Sequence, residues 1–116
     1  MVEAGAPKVS VVVPAYNSGQ HIEKLVSSLL RQSLTAGEFE AVFVDDGSTD
    51  DTAERLDRLA ATHEHIRVLH IENSGWPSRP RNVGIEHARG EYVFFADDDD
   101  WFADQALERL YDCAKT

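Results

Sequence analysis

The chain has 116 residues, which is room for one domain with one core and excludes a second independent domain. Its 42% hydrophobic and 28% charged residues are typical of a globular protein and exclude a disordered or collagen-like chain. The formal net charge of −10, from 11 basic and 21 acidic residues, repels nucleic-acid phosphates, so we expect no nucleic-acid partner.

The first predicted unit is a strand followed by a helix. Residues Val9 to Val13 are valines broken by one serine, and this run is typical of a strand buried on both faces. Apolar residues then recur with helical spacing, which predicts a helix over residues 18–32. Asn17 and Gln20, three residues apart, resemble a capping pair at its start.

The second unit repeats this order. Phe39 to Val44 is a short apolar run that predicts a strand, and Gly47 permits a tight turn after it. Ser48 and Asp51 form a candidate capping box for a helix that ends near residue 62.

Two further units complete the chain. Ile66 to Glu72 and Tyr92 to Ala96 predict the third and fourth strands. The proline-containing segment Asn73 to Pro80 predicts a loop, followed by a short helix that starts near Pro80 or Arg81 and ends at Ala88. An amphipathic pattern after Asp100 predicts the last helix.

Strands that alternate with helices predict the fold class. The expected fold is α/β, a Rossmann-like parallel sheet of four β-α units with helices on both faces, in a single domain over residues 1–116. In such sheets ligands bind outside the carboxyl ends of the strands. The four segments at those ends hold most of the chemically reactive residues, namely Pro14 to Asn17, Asp45 to Ser48, Glu72 to Gly75 and Asp97 to Asp100.

The two acidic segments, Asp45 with Asp46 and Asp97 to Asp100, would repel each other at one edge of the sheet. A divalent cation would relieve this repulsion, and carboxylate oxygens suit Mg²⁺ or Mn²⁺, which keep coordination positions for substrate phosphates. We therefore expect a metal-bound diphosphate ligand. The alternatives are a solvated turn or a helix start for Asp97 to Asp100, and turn and cap chemistry for Asp45 to Ser48.

Three other side chains near this edge have two interpretations each. Tyr16 could stack on a nucleobase or pack as an ordinary aromatic at a strand end. Arg79 and Arg81 could pair with phosphate oxygens, or with the many acidic side chains of the surface.

Several function classes lack their motifs. The sequence has no GxGxxG after the first strand, no GxxxxGK[ST] and no GxSxG, which argues against a dinucleotide-binding fold, a P-loop and a nucleophile elbow. The single cysteine, Cys113, cannot form an internal disulfide. No apolar run approaches about 18 residues and the first residues lack a signal-peptide layout, so we expect a cytoplasmic location. If the natural protein associates with a membrane, we expect it to do so through parts other than this chain.

Four segments in order resemble the motifs of family 2 glycosyltransferases with the GT-A fold. The resemblance implies a domain that binds a nucleotide sugar, usually a UDP-sugar, with Mn²⁺ or Mg²⁺ held by an acidic DxD motif. The segments are Val9 to Asn17, Val44 to Asp50, Arg81 to Ile85 and Gly90 to Trp101.

The resemblance also assigns roles to individual residues. Pro14 and Tyr16 would line the base pocket, and Asp46, with Asp45 beside it, would hydrogen-bond the uracil. Arg81 would lie near the diphosphate. Asp99 would contact the metal, and Asp97 would bind the ribose or the metal through water.

The chain departs from the family pattern in two respects. Gly75 to Pro80 is bulkier than the small-residue loop usual before the Arg-Asn-x-Gly motif. A family member would also continue with the acceptor site and a catalytic carboxylate, so we expect this chain, truncated at its C-terminus, to be the donor half of an inverting enzyme whose general base is not identified here. The alternative is a non-catalytic nucleotide-binding or regulatory module of the same fold.

The resemblance leaves the acceptor open as a glycan, a lipid or a cell-surface polymer. Truncation would turn the apolar strand Tyr92 to Ala96 into a sheet edge, so we also expect self-association through this strand.

Overall fold

The computed structural model describes residues 6–76 and 78–116. Pro77, which falls in the predicted loop, and residues 1–5, on which the signal-peptide expectation rests in part, lie outside the described residues. The helices and strands alternate as predicted. They are β1 Val9–Ala15, α1 Ile22–Leu30, β2 Phe39–Asp46, α2 Thr52–Thr62, β3 Ile66–Ile71, α3 Ser78–His87, β4 Tyr92–Phe95 and α4 Ala106–Lys115.

The strands form one four-stranded sheet in the order β3-β2-β1-β4, and every pair is parallel. The register aligns Val9 of β1 with Phe39 of β2 and with Tyr92 of β4. Because all strands run the same way, their carboxyl ends meet at one edge of the sheet. The predicted α/β fold is confirmed.

Helices cover both faces of this sheet unequally. α1, α2 and α4 pack on one face, where Leu25, Leu56 and Leu107 join the larger hydrophobic cluster. On the other face α3 is the only helix among the described residues, and its Val83 contacts a smaller cluster around Val12. The strand residues alternate between these two clusters, so β1 and β2 are buried on both sides, as their valine-rich runs predict.

α3 lies very close to β1 because Gly84 has no side chain. A Cβ atom added at Gly84 would be 2.3 Å from Cγ1 of Val12, which is fully buried. This glycine therefore sets the distance between the helix and the sheet.

The amino ends of the strands are joined by Glu40, which is 5% exposed. Its carboxylate accepts hydrogen bonds from Ser10 Oγ of β1 at 2.6 Å, from Arg67 Nη1 of β3 at 2.8 Å and from the Arg89 amide before β4 at 2.7 Å. Burial alone would raise the pKa of Glu40, but these three hydrogen bonds and the charge of Arg67 lower the pKa below its usual value. One carboxylate thus connects β1, β2, β3 and the segment before β4 at the end opposite the predicted site.

Both β1 and β2 run two residues past their predicted ends, and Pro14 lies within β1. A proline has no N–H to donate and normally interrupts a sheet. Val12 O accepts the amide of Ala96, so the nitrogen of Pro14, two residues on, faces the same side. β4 has already ended there, at Phe95, and no ladder hydrogen bond is lost.

The helix starts also differ from the predictions. The structure starts α1 at Ile22 and α4 at Ala106, and α1 ends at Leu30. α3 begins at Ser78, before the predicted Pro80, because the first turn of a helix has N–H groups without partners and so tolerates proline.

The two predicted side-chain caps are wrong. The N-cap residues are His21 for α1 and Asp51 for α2, and neither makes a side-chain capping bond. Asn17 instead uses its side-chain oxygen to accept the amide of Thr49 at 2.8 Å, and Ser48 Oγ accepts the amide of Asn17 at 3.0 Å. These contacts join the loops after β1 and β2, so both side chains serve the sheet edge rather than a helix.

β4 is an edge strand of the sheet. α3 packs over its neighbour β1 and over β2. Phe95 at the end of β4 is 49% exposed. None of the helices in residues 6–76 and 78–116 has the length and apolar character needed to cross a bilayer.

Candidate functional site

A cavity of about 390 Å³ lies at the carboxyl edge of the sheet. All four strand ends contribute to its walls, together with the start of α3. The lining residues are Pro14, Ala15, Tyr16, Asp46, Asn73, Gly75, Trp76, Pro80, Arg81, Asp97 and Asp98. Five of the seven residues assigned from sequence therefore lie together, and the other two, Asp45 and Asp99, are not part of the lining.

Asp46 is 6% exposed and its carboxylate faces the loop after β3. Oδ1 accepts the amide of Ser74 at 3.0 Å, and Ser74 Oγ lies 3.1 Å from both carboxylate oxygens. Asn73 Nδ2 donates to the backbone oxygen of Asp46 at 3.0 Å. Asp46 is thus a hydrogen-bond acceptor that contacts with Asn73 and Ser74 hold in the cavity wall.

Asp45 is 3% exposed and points away from the cavity. Successive side chains of a strand point to opposite faces, so Asp45 and Asp46 cannot both reach one ligand from an extended β2. Asp45 Oδ1 accepts the amide of Ser48 at 3.1 Å, and Oδ2 lies 2.9 Å from His70 Nδ1. Its contacts hold the loop that follows β2.

The loop after β4 gathers three exposed carboxylates. Asp97, Asp99 and Asp100 each offer an oxygen within 4.8 Å of the others, and Asp100 also accepts the amide of Asp97 at 2.8 Å. Three carboxylate oxygens at this separation form a donor set that fits a hard divalent cation such as Mg²⁺ or Mn²⁺. Asp97 joins this acidic cluster to the cavity.

Asp98 has a different contact from its neighbours. Its carboxylate accepts a hydrogen bond from Ser18 Oγ, and Ser18 Oγ in turn accepts the amide of Tyr16 at 3.1 Å. Ser18 is 1% exposed, and Thr52 Oγ1 accepts its amide at 2.8 Å. The second aspartate of the run therefore ties the acidic loop to the loop that carries Tyr16.

Arg81 supplies the positive charge in the cavity wall. Its Nη2 lies 3.4 Å from Asp97 Oδ1, and both side chains are substantially exposed. Arg79 is also exposed but does not line the cavity. The cavity lining also contains three acidic residues, Asp46, Asp97 and Asp98. Without a bound cation the lining therefore carries a net negative charge, and an anionic ligand would need a cation beside it.

Two exposed aromatic side chains line the cavity. Tyr16 is 48% exposed and Trp76 is 72% exposed, and their rings offer apolar surface to a ligand. No site role was predicted from sequence for four residues of this region: Ser18, His70, Ser74 and Trp76. Ser18, Ser74 and Trp76 lie in or next to the segments at the strand ends, and this position is the sequence signal that could have identified them.

Comparisons with known proteins show the family and the fold of the chain. A family model described as Glycosyl transferase family 2 matches residues 10–116. A poly(ribitol-phosphate) beta-glucosyltransferase of Bacillus spizizenii is 38% identical over 109 residues, which are 93% of this chain and 17% of that protein.

Two solved structures are similar in fold and sequence. The S. aureus TarS 1-349 in complex with UDP has a TM-score of 0.83 and 40% identity over 93% of this chain and 31% of that chain. The mannosyltransferase PcManGT from Pyrobaculum calidifontis, in complex with GDP-Man and Mn²⁺, has a TM-score of 0.76 and 30% identity over 95% of this chain and 32% of that one. The chain thus spans a third or less of each of these relatives.

Proposed function

Because the chain belongs to glycosyltransferase family 2, we propose that it binds the donor of a glycosyl transfer, a nucleotide-diphosphate sugar of the UDP class. The observation that carries this proposal is the cavity that brings Tyr16, Asp46, Arg81 and Asp97 together at the carboxyl edge of the sheet. In this proposal the chain is the donor- and metal-binding half of an enzyme that transfers the sugar to an acceptor hydroxyl.

The base of the donor would lie against Asp46. A buried carboxylate accepts hydrogen bonds, and the N3–H of uracil is a donor, whereas N3 of cytosine is an acceptor. Guanine also offers N–H donors, and a GDP-sugar occupies one of the similar structures. Tyr16, with Pro14 beside it in the cavity wall, would cover the face of the base.

The diphosphate would lie between Arg81 and the acidic cluster. The Arg81 guanidinium can form paired hydrogen bonds with phosphate oxygens, and it lies at the start of α3, where the helix dipole favours an anion. Asp99 and Asp97 would hold Mn²⁺ or Mg²⁺, with Asp100 beside them. Neutralising the charge on the departing diphosphate is the chemistry that such an ion supplies when bound.

We propose that the transfer inverts the anomeric centre. The acceptor oxygen forms a bond to the anomeric carbon while the bond from that carbon to the diphosphate oxygen breaks, and the hydroxyl proton passes to a general base. Within this chain Asp46 and Arg81 bind and orient the donor, and none of the assigned residues acts as that base. A relative with 38% identity is named for a poly(ribitol-phosphate) acceptor, which supports a cell-surface polymer as the acceptor class here.

Calorimetric titration tests the donor site. UDP is titrated into the chain with Mn²⁺, then with EDTA in place of the metal, and again into Asp99→Ala. We expect binding that needs the metal and that Asp99→Ala weakens by about tenfold or more. The control is Asp112→Ala, which removes the same charge from an exposed site on α4 and leaves affinity unchanged.

CDP and GDP are then titrated under the same conditions. We expect CDP to bind at least about tenfold more weakly than UDP, because the N3 acceptor of cytosine would face the Asp46 carboxylate. Tighter binding of GDP than of UDP would refute the uridine assignment and leave the donor site intact. Binding of none of the three nucleotides would refute the donor site itself.

A further inference from the structure

His70 lies outside the cavity and bridges two carboxylates. Its Nδ1 is 2.9 Å from Asp45 Oδ2 and its Nε2 is 2.8 Å from Asp57 Oδ1. Asp45 is the strand neighbour of His70 in the β2–β3 register, and its side chain is 4% exposed. Asp57 lies on α2 and is 61% exposed. The ring thus fixes the end of β3 to both β2 and α2.

This geometry favours a doubly protonated, charged imidazole ring. An ionised carboxylate only accepts hydrogen bonds, so both ring nitrogens must carry a proton to satisfy the two partners. The hydrogen bonds with Asp45 and Asp57 accordingly raise the pKa of His70, and partial burial opposes them. The charged groups that face the ring are Asp45 from β2 and Asp57 from α2, whereas α3 lies on the opposite face of the sheet.

Hydrogen bonds and short stretches of backbone together connect this ring to residues that line the cavity. Asp45, held by His70, accepts the amide of Ser48 through Oδ1, and Ser48 Oγ accepts the amide of Asn17. Asn17 directly follows Tyr16, and Asp46 directly follows Asp45. Loss of the contact with His70 would therefore loosen the backbone on both sides of the proposed base pocket.

We propose that His70 is a positioning residue of the donor site and that its doubly protonated ring is needed for full nucleotide affinity. This inference rests on the proposed function. A neutral ring has one N–H, so it can donate to only one of the two carboxylates, and the loop after β2 loses part of its support. Nucleotide affinity then falls as the pH rises through the pKa of His70.

The test compares the chain with its His70→Gln variant. Affinity for UDP with Mg²⁺ is measured between pH 6 and pH 8.5, and the ratio of the two dissociation constants removes the titration of UDP itself. We expect the variant to bind about threefold more weakly at pH 6, an effect typical of one partly exposed charged contact, and the ratio to approach one at pH 8.5. The control is Asp112→Asn, on the exposed side of α4. For this variant, we expect the ratio of its dissociation constant to that of the wild type to stay near one at every pH.

A second measurement does not depend on the variant. By linkage, a threefold preference of UDP for the protonated form raises the pKa of the His70 ring by about 0.5 on saturation, which NMR of the ring detects. A ratio that does not change with pH, or a ring pKa that UDP does not move, would overturn the inference while the donor site stands. A chain that binds no UDP at any pH would refute the proposed function and the inference with it.

Discussion

Replacing Gly84 by alanine tests how closely α3 must approach the sheet. In an exposed helix this change is stabilising by about 1 kcal/mol, because alanine is the better helix former. Here the added Cβ would lie 2.3 Å from Val12 Cγ1 and 3.2 Å from Cγ2. The sign of the effect therefore depends on whether packing outweighs helix propensity.

The distances indicate that the packing cost against Val12 exceeds the gain in helix propensity, so we expect Gly84→Ala to be destabilising. Ordinary contact with a Cβ begins at 3.4 Å, so α3 or Val12 must move by about 1.1 Å. Val12 is fully buried in a strand with neighbours on both sides, and overpacking at such a site costs about 1–3 kcal/mol. Because 2.3 Å is far inside contact distance, the cost should lie in the upper part of this range, at about 2–3 kcal/mol. After the gain of about 1 kcal/mol in helix propensity, we expect a net loss of about 1–2 kcal/mol of unfolding free energy. UDP affinity should fall as well, because Pro80 and Arg81 at the start of the same helix line the cavity.

Equilibrium unfolding in guanidinium chloride, followed by circular dichroism, measures the change. Gly37→Ala is the matched control, since a Cβ at Gly37 meets no atom within 4 Å and should change stability by less than about 0.5 kcal/mol. Gly84→Ala is also made in a Val12→Ala background, which removes both contacting methyl groups. In the Val12→Ala background, we expect Gly84→Ala to lower the unfolding free energy by at least about 1 kcal/mol less than it does in the wild type.

Wild-type stability or better in Gly84→Ala would refute this reasoning. Equal costs in the two backgrounds would show that the Val12 methyl groups are not the cause.

Three further predictions concern other contacts. Glu40→Gln should lower the unfolding free energy by about 2–4 kcal/mol at pH 7, because Arg67 loses a buried ionic partner. Folding lowers the pKa of Glu40, so its ionised carboxylate stabilises the fold at pH values above its unfolded pKa near 4.5, and this stabilisation is lost as the pH falls through the folded pKa. An unfolding free energy that differs between wild type and Glu40→Gln by the same amount at pH 7 and at pH 3.5 would contradict this. Asp98→Ala and Ser18→Ala should each weaken UDP binding about threefold by calorimetry, with no further loss in the double variant, whereas additive losses would show that the two residues act separately. Exposed Phe95 on edge strand β4 predicts self-association that Phe95→Lys reduces, and a wild-type monomer at high concentration in light scattering would disprove it.

Much of the fold follows from local patterns. Valine-rich runs such as Val9 to Val13 are buried on both faces, and their alternation with helical apolar patterns favours a parallel sheet with crossover helices. Because parallel strands end at one edge, the polar segments after them had to meet, and this placed Tyr16, Asp46 and Asp97 around one cavity. The motifs around them resembled family 2 glycosyltransferases, and the family is confirmed over residues 10–116.

The two cap predictions were wrong because the competing hydrogen bonds are long-range, and a local sequence pattern carries no information about them. Asn17 and Ser48 have the residue types and spacing of caps, but their side chains bond across the gap between two loops. The competing partners are about 31 residues away in sequence, and only the sheet brings them together.

By itself the sequence determined the order of strands and helices, the parallel sheet and the edge where the site lies, because apolar period and turn chemistry are local. Only the tertiary structure decided which acid serves which purpose. Asp45 and Asp46 are neighbours in sequence, yet the alternation of β2 turns Asp46 into the cavity and Asp45 toward His70. Within Asp97 to Asp100, contact with Ser18 takes Asp98 out of the acidic cluster. These assignments depend on which face a side chain presents and on what lies opposite it across the fold.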